Sequence, residues 1–391
     1  MAPAATTRSS TAAGKRPAGP PRLLTAPARV QISKYADGEA LCARNFTITP
    51  ITVGPDEVPL HQGEVLVQPV YISVDTNLYF RVDGIWEHKF QLPLLPLGEV
   101  VRGFGVGFVL CSKHPDYQSG DRVMGWDLPW ASYGAVAGGH ALISLRDQLS
   151  SIPTQWFMGV LSMHSFSAWY GLTQVAHAQP GENILISVAT GGIGQMAVQL
   201  AGIMGLRVVA VVGSNRKVHI LRDNPYVAEV FNFFAVSEQV EVLRRLFPQG
   251  IDIYFDCVGG AFLDAVLTHL RPHGRVILGG LMSDNGLVRH PSRGVRAIPL
   301  LSATSSSITG FMVQDIYQQY YATFVEDLRR LIAQGKIFYR IDLVCGIENG
   351  PQAVEGVMAS RNLGKCIIQV SEDPTFVRVK ADETVSPSRK G

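Results

Sequence analysis

Apolar and polar positions recur along this chain in two rhythms, and the change of rhythm divides it. From residue 30 to 145 the signals are strands and turns. Residues 64–74 fit a strand pair or one long bent strand, 101–111 a glycine-punctuated strand, and 120–125 a turn entering a short strand. From about residue 155 short apolar runs alternate with helical spacing. Strands are expected at 184–188, 208–212, 230–234, 251–258, 275–281 and 308–313, with helices at 195–204, 216–221, 238–247 and 262–270 between them. That alternation predicts a doubly wound parallel sheet with helices on both faces. A helix over 320–333 leads back to β-like segments ending at 365–370, so the first domain receives the C-terminal part of the chain.

The turn after the first of those strands carries the chemistry. It reads Ala189-Thr190-Gly191-Gly192-Ile193-Gly194, with small residues at the spacing of a dinucleotide-binding turn. Gly191 lets a backbone approach a pyrophosphate. Gly194 lets the helix pack close to the strand, and the helix N-terminus then faces the phosphates. At the end of the second strand an NAD site places an acid on the ribose 2′-hydroxyl. Here the residues are Gly213-Ser214-Asn215-Arg216-Lys217, two cations and a hydroxyl with no carboxylate. That set suits a 2′-phosphate, so NADPH is expected rather than NADH.

Composition adds limits. The chain has 391 residues, 47% hydrophobic and 17% charged, with net charge +2. The length suits two domains, and the charge gives no reason to expect nucleic acid or an anionic membrane. No apolar run reaches transmembrane length. Five isolated cysteines favour a reducing compartment and show no zinc spacing. A cytoplasmic location is expected. The Arg- and Ser-containing, acid-poor start leaves mitochondrial import as the alternative, although its prolines spoil an amphipathic helix. Residues 1–27 and 372–391 read as tails, the first unable to bury a core.

Several stretches, in their order and spacing, resemble one family. They are Tyr71-Ile-Ser-Val-Asp75, Ser112-Lys-His-Pro-Asp-Tyr117 with Gly120-Asp121, the Gly-Gly-Ile-Gly turn, and Gly213-Ser214 with Lys217. Phe255-Asp-Cys-Val-Gly-Gly260, Gly310-Phe-Met-Val313 and Arg361-Asn-Leu-Gly-Lys365 follow. Over roughly residues 30–370 the chain resembles the zinc-free medium-chain dehydrogenase/reductases, in particular NADP-dependent alkenal double-bond reductases and prostaglandin reductases. Gly98-Glu99 lacks the histidine that a zinc-dependent member carries between them. The resemblance implies a Rossmann sheet over 151–313 and a GroES-like, mostly β catalytic domain over 28–150 and 314–371. It implies NADPH-dependent, zinc-independent reduction of the C=C bond of an α,β-unsaturated carbonyl compound.

By position, Ser214, Arg216 and Lys217 would hold the 2′-phosphate, and Thr190, Gly191, Gly192, Ile193 and Gly194 the pyrophosphate. Phe311, Met312, Val313 and Asn362 would approach the nicotinamide half, with Ser167 near it. The chain also departs from the family. Cys257 replaces an Asn, Phe233 replaces the Tyr that helps bind the 2′-phosphate, and the tyrosine loop reads Ser283-Asp284-Asn285-Gly286. Tyr79 matches a family Tyr only across a two-residue insertion, and His164 stands where a proline is expected. These changes cluster around cofactor and substrate, which suggests a remodelled pocket and a specialised, bulky substrate.

Reducing an enone needs a hydride at the β-carbon, donors for the charge building on the carbonyl oxygen, and a proton at the α-carbon. With the loop tyrosine absent, Tyr79 and His164 are the candidate catalytic donors. A quinone oxidoreductase, or a redox-neutral cyclase or isomerase on the same fold, are the alternatives. Substrate identity and oligomeric state stay open, a homodimer among the options.

Overall fold

The computed structural model describes residues 19–83, 93–139, 142–146, 149–235, 239–280 and 295–376. Among these residues two large sheets carry the fold. The first is parallel and six-stranded. In chain order its strands are Asn183–Ile186, Arg207–Val212, Glu229–Asn232, Ile251–Asp256, Leu270–Leu278 and Ser307–Gly310. Numbered along the chain, they lie side by side in the order 3-2-1-4-5-6. That is the Rossmann order, whose ligand crevice opens where the order reverses, between strands 1 and 4. The central strands are apolar because both faces are covered: Ile184 to Ile186 and Val208 to Ala210 are fully buried.

The second sheet is mostly antiparallel and seven-stranded. Its centre is one long strand, Glu64–Ser73, paired with Arg102–Ser112 and with Gly134–Ala137. Register shifts at Leu66/Val67 and Pro69/Tyr71 bend it, which resolves the choice between one bent strand and a pair. The chain returns through Val313–Ala333 to strands Ile341–Cys345 and Lys365–Gln369, and the last pairs with Glu64–Ser73. The C-terminal part thus pairs into the antiparallel sheet built by the first part of the chain.

Several expectations need correction. The expected strand over 308–313 ends at Gly310, and the long helix starts at Val313 rather than 320. The expected helix over 262–270 runs Gly260–Leu267. It starts early because Gly259 (φ 75°) and Gly260 (φ 53°) adopt positive-φ turn geometry that glycine takes at least cost, and the next strand already begins at Leu270. The first tail is not free over its whole length. Leu24 N donates to Val370 O at 3.2 Å, Glu372 N to Arg22 O at 2.8 Å, and Gln68 to Pro21 O, so residues 21–24 lie along the end of the last strand. The second tail is likewise tied at its start, where Thr375 Oγ1 lies 2.9 Å from Thr154 Oγ1.

Candidate functional site

The glycine turn sits at the reversal point of the parallel sheet. Gly191 caps the helix Gly192–Ile203 in extended backbone, and its N–H donates to Val188 O at 2.8 Å. A Cβ on Gly194 would lie 2.2 Å from Val188 O, so only glycine lets the helix seat this close to the strand. Val188 itself has φ 50°, strained for a β-branched residue, and it faces the cleft. Across the crevice, Asp256 Oδ1 takes hydrogen bonds from Tyr254 OH, Val258 N and Gly259 N at 2.7–2.9 Å. Those bonds fix the turn that presents Cys257 to the cleft.

The other wall comes from the antiparallel sheet and the helix Met163–Tyr170. Asp75 follows the long central strand, Lys365 opens the last strand, and His164 stands in the first turn of that helix. Asp75 Oδ1 lies 2.6 Å from His164 Nε2 and 2.7 Å from Lys365 Nζ, which also donates to Val74 O at 2.6 Å. Burial alone would raise the Asp75 pKa. Lys365 and His164 outweigh it and hold the carboxyl well below the usual range, so it is ionised. Burial lowers the His164 pKa; Asp75 opposes that and Lys365 adds to it. The cluster seats directly on the glycine turn. A Cβ on Gly192 would meet Lys365 Cδ at 2.9 Å and His164 Cδ2 at 3.0 Å.

At the adenosine end, Ser214 caps the helix Asn215–Arg222, its hydroxyl accepting from Lys217 N at 3.3 Å. Lys217 is 6% exposed and donates to Ser360 O at 2.7 Å across the cleft. Burial lowers its pKa, with Asp342 opposing. Two of its three protons stay available for an anion.

The cleft therefore gathers Gly191 to Gly194, Lys217, Cys257, Asn362 and His164 from the expected residues. Asn362 Nδ2 donates to Gly364 O at 2.7 Å. It also gathers Asp75, Ser360 and Lys365, which sequence reasoning left without a role. Asp75 and Lys365 lie inside stretches that carried the family resemblance, but their partnership spans 290 residues.

Other expected residues lie elsewhere. Tyr79 is the main correction. The short helix Leu78–Val82 turns it inward, where it is fully buried among Leu78, Val82, Val101 and Trp130, edge-on to Phe80. It does not line the cleft. Phe233 packs edge-on against Phe262 at 5.2 Å and offers no hydrogen bond. Thr190 is buried in the turn, and Ser167 is buried with its hydroxyl on Met163 O at 2.9 Å. Arg216 is exposed at the helix start. Phe311 stacks obliquely on Tyr170 at 5.1 Å, with Met312 capping the long helix and Val313 beginning it. Ser283, Asp284 and Asn285 lie outside the described residues.

A second hollow of about 1440 Å³ lies between the antiparallel sheet and the long helix, walled by Trp126, Ile143, Tyr317, Tyr321 and Arg146. A small gap of about 30 Å³ shares Arg81, Trp126 and Gln314 with it, and shares Asp75 with the cleft. Arg81 is fixed there by Asp127 Oδ1 at 3.2 Å and Arg102 O at 3.0 Å. Among the described residues no group of three His, Cys, Asp or Glu side chains gathers as a metal-ligand set, and no helix is long and apolar enough to cross a membrane.

A Rossmann crevice faced by a β sheet, with a glycine turn and a buried lysine at the adenosine end, defines a dinucleotide-binding oxidoreductase architecture. The sequence pattern of the zinc-binding dehydrogenases matches residues 192–330, and that of the N-terminal domain of oxidoreductase matches residues 33–144. The chain is 33% identical over 311 residues to (+)-pulegone reductase of Mentha piperita, covering 80% of this chain and 89% of that one. It is 32% identical over 321 residues to NADPH-dependent curcumin reductase of Escherichia coli, covering 80% and 89%. The crystal structure of CurA from Vibrio vulnificus in complex with NADPH superimposes with a TM-score of 0.78 at 29% identity, covering 88% of this chain and 99% of that one. The chain belongs to the zinc-binding dehydrogenase family, the medium-chain dehydrogenase/reductases.

Proposed function

We propose that this protein reduces the carbon–carbon double bond of a bulky α,β-unsaturated carbonyl compound, with NADPH as its cofactor. The observation that carries this reading is the cleft itself. A bare glycine turn at the crevice and a buried lysine beside Ser214 match a 2′-phosphorylated dinucleotide in shape and charge. Relatives at 32–33% identity are by name a pulegone reductase and a curcumin reductase.

NADPH bound here supplies the hydride. Gly191 and Gly194 admit the pyrophosphate to the helix N-terminus, and Lys217 with Ser214 holds the 2′-phosphate. Arg216 adds charge at the helix start, and Asn362 borders the nicotinamide half. The cleft encloses about 110 Å³. Neither expected donor is placed to supply the proton: Tyr79 is in the core, and the Nε2 proton of His164 is committed to Asp75. The reading takes the α-carbon proton from solvent. The large aromatic-walled hollow, joined through Arg81 and Trp126 to the gap beside Asp75, receives the body of the substrate.

The test is cofactor oxidation with a panel of small enals, large cyclic or diaryl enones, and quinones. Oxidation of NADPH with large enones, with the double bond saturated, supports the reading. Turnover with quinones alone would replace it by a quinone oxidoreductase, and no oxidation with any of them would favour a redox-neutral protein.

A further inference from the structure

We infer that His164 positions the cofactor by accepting a hydrogen bond on Nδ1 from a hydroxyl of the ribose next to the pyrophosphate, with Asp75 holding the ring in that orientation. This rests on the NADPH reading above. Asp75 Oδ1 is 2.6 Å from His164 Nε2 and is also bound by Lys365 at 2.7 Å. A carboxylate offers no proton, so the hydrogen of this short contact sits on Nε2. In a neutral imidazole the other nitrogen is then a bare acceptor. Burial, with Lys365 alongside, favours the neutral ring. Nδ1 is buried and has no hydrogen-bond partner, although its side chain lines the cleft.

A buried acceptor without a donor costs free energy, so a ligand that brings a donor gains there. Phosphate oxygens carry no proton near neutrality and cannot fill this need. His164 lies against Gly192, the first residue of the helix that faces the pyrophosphate. With the adenosine ribose assigned to Lys217, the nicotinamide-side ribose is the hydroxyl-bearing group left for His164. The sequence expectation is thereby recast: His164 faces the site, but as an acceptor rather than as the acid.

Two substitutions separate the ring's two nitrogens. His164→Gln keeps a donor for Asp75 and removes the Nδ1 acceptor. His164→Asn places an amide oxygen near the Nδ1 position and gives up the Asp75 contact. Affinities for NADPH and for 2′,5′-ADP, which lacks the second ribose, are measured by titration calorimetry, with thermal melting to confirm folding. The expected result is roughly 2- to 12-fold weaker NADPH binding by His164→Gln, the size of one neutral hydrogen bond. Its 2′,5′-ADP affinity stays unchanged, and His164→Asn binds NADPH within about 2-fold of the parent. In the complex, the ¹⁵N signal of His164 Nδ1 remains that of an unprotonated nitrogen. Unchanged NADPH affinity in His164→Gln, an equal loss for both ligands, or a protonated Nδ1 in the complex would overturn the inference. If the unmutated protein binds neither ligand, the NADPH reading falls and takes this one with it.

Discussion

The imidazole of His164 rests on the bare Cα of Gly192: a methyl group there would meet Cδ2 at 3.0 Å. One glycine of the dinucleotide turn thus serves a purpose besides admitting a phosphate, because it makes room for the Asp75–Lys365–His164 cluster. Gly192 lies inside the first turn of the helix with ordinary backbone, so alanine there raises helix propensity. Overpacking outweighs that gain. Gly192→Ala is expected to lose about 1–3 kcal/mol of stability. Adding His164→Ala should recover part of the loss, since the two changes meet in space. Denaturant melts of the single and double variants check this, and strict additivity would mean that the contact carries no strain.

The same cluster sets the acid side of the stability curve. Asp75 has its pKa lowered by folding, so its contribution is full above about pH 4, the unfolded value, and is lost as pH falls below it. His164 is also lowered, so the unfolded chain takes its proton first, and stability declines as pH drops below about 6.5. Both act in one direction. Asp75→Asn leaves the Lys365 ammonium, 5% exposed, without its countercharge, and is expected to cost about 3–5 kcal/mol at neutral pH. Urea melts across pH 2–8 measure both effects, and a flat profile in the parent protein contradicts them.

Lys217→Ala should weaken NADPH by about 1.5–3 kcal/mol and leave NADH nearly unchanged, because the difference lies in the 2′-phosphate. The Ser360 contact is lost equally for both cofactors, so the comparison cancels it. Equal losses would remove the 2′-phosphate from this end of the cleft.

Deleting residues 1–18 should leave melting unaltered, whereas deleting 1–27 should lower the midpoint. The longer deletion removes the backbone bonds from Leu24 to Val370 and from Glu372 to Arg22, and the side-chain bond of Thr25 to Glu348 at 3.0 Å. Two truncated proteins with the same midpoint would mean that this stretch adds nothing.

The parallel sheet was legible because its central strands are short apolar runs buried on both faces, and its glycine turn has local spacing. Boundaries slipped where an apolar run crosses an element end. Ile308 to Val313 reads as one strand, yet the last residue of that run begins a helix. Tyr79 was misplaced because pattern alone does not say which side of a one-turn helix meets the core. The Asp75–Lys365 pair was invisible because its partners lie 290 residues apart, although both stretches had been noticed. His164 was singled out as unusual for its position, but its role depends on which nitrogen faces Asp75, and only three-dimensional geometry gives that.

The most direct test of the account follows the hydrogen. NADPH carrying deuterium at both C4 positions is incubated with the protein and a large cyclic or diaryl enone, and the product is analysed by mass spectrometry and NMR. The account predicts one deuterium at the β-carbon per cofactor oxidised. In heavy water with unlabelled cofactor, it predicts one solvent deuterium at the α-carbon, in the parent protein and in His164→Gln alike. A saturated product without label at the β-carbon, or bound NADPH that is never oxidised in the presence of any enone, would contradict it.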